Sequence, residues 1–166
     1  MGIYVAVMLF QGFSVYKSTV RGPGRNPFEF HPMHRENNTN GIDGDVDGEG
    51  TGWCIHQLAD PAITRVQELR VRAIVQALND CDNVLWEISN ETNANSASWQ
   101  YHMIDYIRQT ENDLDYHHPI GMSGARVQNE SLMASAADWV APCRGKQAHG
   151  WTPPDMRGQK TSIADT

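Results

Sequence analysis

The sequence predicts an α/β fold, a partial (β/α)8 barrel, and three observations point to it. Apolar runs typical of strands alternate with amphipathic helical runs, the pattern of a parallel sheet with right-handed crossovers. No predicted strand is followed by a glycine-rich phosphate turn such as GxGxxG, and polar residues stand at the strand ends. Polar groups at the carboxyl ends of successive strands favour a barrel over a doubly wound sheet.

A complete barrel takes about 250 residues. This chain has 166 residues, so we expect a single domain, residues 1–166, that holds five of the eight strands and is truncated at both ends. An open barrel sector has unpaired strand edges and an uncovered interior. The isolated chain is therefore expected to aggregate or self-associate.

The first element is the run "MGIYVAVMLF". Its β-branched and aromatic residues predict a strand over 3–9 that is buried on both faces. No positive charge precedes the run and no cleavage site follows it, so it does not resemble a signal peptide. Residues 10–52 are rich in Gly, Asn, Asp and Pro without a sustained period, and they predict a long loop.

Two amphipathic helices follow. Asp60 is a good N-cap with Pro61 after it, and the first helix is expected to end near Leu78. Its predicted apolar face consists of Ile63, Val66, Leu69, Ala73, Ile74 and Ala77. The second helix is expected to begin after Ser96 or Ser98. Its predicted buried stripe consists of Trp99, Met103, Ile104 and Ile107.

The other strands are predicted at 84–88, 118–122, 138–140 and 161–165, with a short helix at 129–136. All five strands should be parallel and adjacent in chain order, as in consecutive strands of a barrel.

The strand "LWEISNE" carries the candidate chemistry. Alternation places one set of side chains on the predicted interior face: Leu85, Glu87, Ser89 and Glu91. Glu91 is the last of them, at the barrel mouth. Shielding by Trp86 or Trp99 would raise the pKa of Glu91 and make it a proton donor near neutral pH. The alternative is that Glu91 caps the next helix or is merely exposed.

Glycoside hydrolysis needs a second carboxylate across the mouth. Asp165 ends the last predicted strand and is the candidate, although a turn-forming aspartate is the alternative. The amide of Asn90, beside Glu91, suits recognition of a sugar hydroxyl.

These motifs resemble a known family. The runs "YVAVMLFQGFS", "NPFEFHPMHRENNTNGIDGD", "NVLWEISNE", "WQYHMIDYI", "HPIGM" and "KTSIADT" are similar to bacterial barrels of the retaining glycoside hydrolase clan, in particular the apiosidase-like, collagenase-annotated ones. The resemblance implies that the chain spans the third to the seventh strand. It also implies that Glu91 is the general acid/base and that Asn90 binds the hydroxyl next to the anomeric carbon. The clan's nucleophile ends the seventh strand and is usually Glu, where this chain has Asp165.

The loop after the first strand offers further sugar-binding candidates. His31, Asn38 and Asn40 could line a subsite beside an aromatic platform such as Trp151. The alternative for about half of these loop side chains is that they only satisfy backbone groups.

Metal and cofactor signals are weak. "DGDVDG" places Asp43, Asp45 and Asp47 as in an EF-hand loop, but the twelfth position is Cys54 instead of Glu, which favours a solvated acidic turn. His117 and His118 have no other ligand at metal-binding spacing. We expect no metal and no cofactor.

The composition and charge limit the kinds of partner that the chain is expected to bind. The net charge is -7, with 13 basic and 20 acidic residues and no basic cluster, which argues against nucleic acid. No run is long enough to span a membrane. The expected partner is a carbohydrate, and the sequence does not indicate the cellular compartment.

The alternatives to a hydrolase are a non-catalytic carbohydrate-binding or scaffold remnant, and a calcium-stabilised interaction module. Whether this piece is active alone is left open.

Overall fold

A computed structural model of the chain describes residues 2–15, 26–124, 127, 129–142 and 160–162. Within these residues lie five strands and three α-helices, which alternate from the first strand to the fourth. Their bounds are β1 Val5–Gln11, α1 Pro61–Leu78, β2 Val84–Asn90, α2 Ala97–Glu111, β3 Ile120–Ser123, α3 Asn129–Ala134, β4 Trp139–Ala141 and β5 Thr161–Ser162. The fold is α/β, as the sequence predicts.

The five strands form one parallel sheet in the order β1-β2-β3-β4-β5. The predicted parallel, sequential arrangement is therefore confirmed. The register aligns Met8 of β1 with Glu87 of β2, and Glu87 with Gly121 of β3. All carboxyl ends of the strands consequently meet at one edge of the sheet.

The main core lies between one face of this sheet and the helices α1 and α2. Trp86 and Ile88 of β2 are fully buried in it, together with Ile120 and Met122 of β3. The stripe predicted for α2 is confirmed, since Trp99, Met103, Ile104 and Ile107 are all buried there. Because side chains of a strand alternate, Glu87 lies on the opposite face of the sheet.

The prediction that the first strand is buried on both faces is wrong. Val5 is 46% exposed and Met8 is 45% exposed, whereas Leu9 is buried. The reason is topological, because β1 stands at the edge of the sheet and pairs only with β2 among the described strands. Its apolar sequence therefore did not distinguish an edge strand from a central one.

The apolar face predicted for α1 is also partly wrong. The helix begins at Pro61, with the Asp60 side chain accepting a hydrogen bond from the Ala62 N–H, as expected. Its buried residues, however, are Ile63, Gln67, Val71 and Val75. Leu69 is half exposed. Gln67 is buried because its amide donates to the Ile55 carbonyl and accepts from Trp99 Nε1.

The long loop is not structureless in its described part. It contains 3-10 helices at Pro27–Phe30 and Arg35–Asn37, and a third, Trp53–His56, follows directly after it. A second apolar cluster holds it together, formed by the buried residues Val15, Phe28, Ile42, Ile55 and Ile63. The loop sequence shows neither helical nor strand periodicity because the chain forms short turns around this cluster.

The start of α2 differs in detail. Ser96 occupies the N-cap position without a side-chain cap, because its hydroxyl donates to the Asn93 carbonyl and to Thr92 Oγ1. A short 3-10 helix, Ala94–Ser96, precedes α2 and is capped by Asn93.

Candidate active site at the strand ends

Glu91 follows β2 directly and has an unusual backbone. Among the described residues other than glycine, it alone has a positive φ, of 53°. Such a conformation costs about 1–3 kcal/mol for an L-residue and persists only where the surroundings enforce it. Residues of this kind are concentrated at functional sites.

Gly12 is one of the enforcing groups. Its N–H donates to the Asn90 carbonyl over 2.7 Å. A Cβ atom at position 12 would lie 2.0 Å from the Glu91 carbonyl oxygen, so only glycine fits there. The ends of β1 and β2 are thereby held in direct contact. Gly12 was not among the site residues predicted from the sequence, although a glycine directly after a strand is a signal of close backbone approach.

A buried hydrogen-bond network holds Thr92 and Asn93, the two residues that follow Glu91. Thr92 Oγ1 lies 3.3 Å from Ser89 Oγ and accepts from Ser96 Oγ and Gln100 Nε2 at 3.0 and 3.1 Å. Asn93 Nδ2 donates to the Trp53 carbonyl over 2.9 Å. The segment that carries Glu91 is therefore fixed to both α2 and the preceding loop.

The Glu91 side chain is exposed, and the expected aromatic shielding is absent. Trp86 and Trp99 are both fully buried in the core. Trp86 Nε1 donates to Glu111 and Trp99 Nε1 donates to Gln67. The Trp86 indole thus joins β2 to α2, the Trp99 indole joins α2 to α1, and neither indole shields Glu91. The structure instead matches the alternative that Glu91 is solvent-exposed.

Asn90 stands beside Glu91, as required of its predicted role. Its Oδ1 is buried and has no hydrogen-bond partner. A buried acceptor without a donor costs about 1–3 kcal/mol, which the folded chain would recover if a ligand hydroxyl donated to this atom.

The sheet face opposite the main core carries polar and aromatic groups. Ser123 Oγ donates to Glu87 Oε1 across β2 and β3. The Trp139 ring lies against Gly121, where a Cβ atom would come within 1.9 Å of it. Trp139 Nε1 is buried without a partner. Glu87 therefore lies on the sheet face opposite the main core, as strand alternation requires.

A pocket of about 430 Å³ lies between β1, the segment 27–33, the 3-10 helix Trp53–His56 and α1. Its polar lining comprises Gln11, Ser14, His31, His56, Gln67 and Arg70. Glu91 does not line it. Gln11 is the register partner of Asn90, so the pocket adjoins the strand ends without containing the candidate acid.

Two histidines of the pocket are neutral near neutral pH. Burial lowers the pKa of His56 to about 3, with a smaller effect from His31. Burial, and then the nearby Arg70 charge, lower the pKa of His31 to about 4. Sequence reasoning did not single out His56 or Arg70, because neither lies in a recognisable motif.

The other predicted site residues are scattered. His31 lines the pocket, but Asn38 and Asn40 do not. The Asn38 side chain accepts from the N–H groups of Asn40 and Ile42 and donates to nearby carbonyls, so it holds the loop together. Asn40 is exposed. Asp165 and Trp151 lie outside the described residues.

The "DGDVDG" loop uses its carboxylates internally. Asp43, Asp45 and Asp47 each accept a backbone N–H within the loop, and Asp47 also accepts from the Cys54 thiol. Within the described ranges, no three His, Cys, Asp or Glu side chains are grouped as metal ligands would be.

His118 has a structural partner. Its Nδ1 lies 2.7 Å from Glu111 Oε1, and its Nε2 lies 3.1 Å from the Cys81 carbonyl. Glu111 is buried and Cys81 is partly buried, so this histidine belongs to the packing just before β3, away from the carboxyl ends of the strands.

Comparison with known proteins adds no assignment: no family model matches the chain, and no curated protein or solved structure matches it significantly. The helices that the structure describes include none long and apolar enough to cross a membrane.

Proposed function

We propose that the chain is a sector of a (β/α)8 barrel whose full form hydrolyses glycosidic bonds with retention, and that Glu91 is its general acid/base. The sheet order supports the barrel. A doubly wound sheet reverses its strand order at a switch point, whereas these five strands follow chain order without reversal. The helices α1 and α2 both pack on one face, as barrel helices do.

The observation that carries the proposal is the strained backbone of Glu91 at the carboxyl end of β2. The residue with this φ of 53° lies at the edge where all strands of the sheet end, and it is solvent-exposed there. Gly12 and the Thr92 network hold it there. A general acid must reach the glycosidic oxygen from a fixed position, and this arrangement provides one.

Asn90 supports the same role. Its unpartnered Oδ1 can accept a hydrogen bond from a sugar hydroxyl directly beside the acid. A retaining mechanism places the nucleophile about 5–5.5 Å from the acid/base. Asp165 remains the candidate for that nucleophile, and its separation from Glu91 stays a prediction.

The test compares Glu91→Gln with the unchanged sequence, both in the full-length protein, on aryl glycosides of graded leaving-group pKa. Glutamine cannot donate the proton, so turnover of poor leaving groups should fall by about 100- to 10,000-fold, while activated aryl glycosides keep some glycosylation. Glu49→Gln, in an exposed loop, is the matched control and should behave as the unchanged chain.

The same assay separates catalysis from simple binding. Equal losses for good and poor leaving groups would remove Glu91 from the acid role. Sugar binding without any turnover in the unchanged full-length protein, with binding measured by calorimetry, would favour the non-catalytic carbohydrate-binding alternative.

A further inference from the structure

The pocket beside β1 has the features of a ligand site separate from Glu91. Its volume of about 430 Å³ lies within the range of about 300–1,000 Å³ that is usual for small-molecule sites. Apolar walls are provided by Phe30, Met33, Ile55 and Val66. Polar groups converge on it from three different elements.

The pocket is electrostatically distinct from the rest of this acidic chain. Among the described lining residues, none is acidic and Arg70 is the one permanent cation. The Arg70 guanidinium carbon lies 5.2 Å from the centroid of the Phe10 ring. This contact holds the cation at the pocket wall, where its N–H groups can meet an anion.

Three further groups are available to a ligand. His56 Nδ1 and Ser14 Oγ are both buried without a hydrogen-bond partner. His31 Nδ1 accepts the Met33 N–H over 3.0 Å, which places the proton of the neutral ring on Nε2. His31 therefore offers one N–H donor, and the serine can donate or accept.

We propose that this pocket binds a small organic carboxylate, with its anionic group on Arg70 and its flat apolar body between Met33, Ile55 and Val66. A guanidinium matches a carboxylate with two parallel hydrogen bonds. A phosphate-sized dianion fits less well, since Arg70 is the one permanent cation among the described lining residues. The apolar walls select against small inorganic anions, which have no apolar surface to bury.

The test uses benzoate and its neutral isostere benzamide as probes in amide-resolved NMR titrations of the full chain. Benzoate should shift amide signals at Ile55 and His56 and should bind at least about tenfold more tightly than benzamide, as expected when a charge-assisted hydrogen bond is lost. Arg70→Gln should remove this preference by weakening benzoate binding more than benzamide binding.

Two variants make the result specific. Arg65→Gln, an exposed position on the same helix, is the matched control and should keep the preference. Arg70→Lys keeps the charge and should retain part of it. The proposal is overturned if neither probe binds, if both bind equally, if the shifts map elsewhere, or if Arg65→Gln acts like Arg70→Gln.

Discussion

Glu111 makes buried hydrogen bonds to Trp86 of β2 and to His118 just before β3. Its replacement should be one of the most destabilising changes in the chain. The residue is 1% exposed. Its Oε1 accepts from Trp86 Nε1 at 2.8 Å and lies 2.7 Å from His118 Nδ1. Its Oε2 accepts from the His118 backbone N–H at 3.1 Å. One carboxylate thus satisfies three buried donors.

The magnitude follows from these three contacts. Glu111→Leu has a comparable size but leaves all three donors without an acceptor, at about 1–3 kcal/mol each. These costs add to at least about 3 kcal/mol, and local relaxation keeps the total towards the lower end of the summed range. We therefore expect the free energy of unfolding to fall by about 3–5 kcal/mol, a large share of the roughly 5–15 kcal/mol that stabilises a typical domain.

Glu111→Gln separates charge from hydrogen bonding. Its Oε1 still accepts two bonds, but its NH₂ group meets the His118 N–H donor to donor. The expected loss is smaller, about 1–3 kcal/mol.

The assay is equilibrium urea unfolding, followed by circular dichroism and by the indole N–H signal of Trp86 in NMR. Asp105→Leu, exposed on the same helix, is the control and should change stability by less than about 0.5 kcal/mol. A loss in Glu111→Leu no greater than in this control would refute the argument that the three contacts are stabilising.

Three other perturbations give distinct expectations. Gly121→Ala would place a Cβ within 1.9 Å of the Trp139 ring; the overpacking should lower stability in urea unfolding by about 1–3 kcal/mol. His56 is held neutral, with its pKa lowered from 6.5 to about 3 by burial. Above the pKa of histidine in the unfolded chain, the stability contribution of neutral His56 is therefore fully present. As pH falls towards about 3, the unfolded chain binds a proton that the folded chain does not, and the free energy of unfolding falls, by about 2–3 kcal/mol at about pH 4.5. His56→Leu should flatten this pH dependence in urea unfolding repeated across the same pH range. Met8→Lys adds a charge to the exposed edge strand β1 and should reduce self-association in sedimentation at micromolar concentration.

Each of these has its own control or contradicting result. Gly2→Ala has no atom near its new Cβ and should leave stability unchanged. An identical acid slope in His56→Leu would assign the loss to other groups. If the unchanged chain sediments as a monodisperse monomer, the expected association of the open sheet is wrong.

Local sequence rules were enough to place the strands and helices. Asp60 and Pro61 determine the start of α1 because capping and the fixed φ of proline act within one turn. The stripe from Trp99 to Ile107 determines the buried face of α2, since four large apolar residues at helical spacing leave no other choice. The strand end at Asn90-Glu91 was likewise visible from composition, as polar residues that stop an apolar run.

Only the tertiary structure decided what these elements bury and which groups meet. The sequence of α1 favoured Leu69, but Gln67 is buried, because Ile55 and Trp99 come from distant segments and satisfy its amide. The pocket likewise depends on the tertiary structure, since His31, His56 and Arg70 come from three separate segments that share no sequence motif. The positive φ of Glu91 occurs where its backbone packs closely against Gly12, about eighty residues earlier in the chain. Propensity and periodicity act over a few residues, whereas hydrogen-bond satisfaction and close approach depend on partners that folding alone brings together.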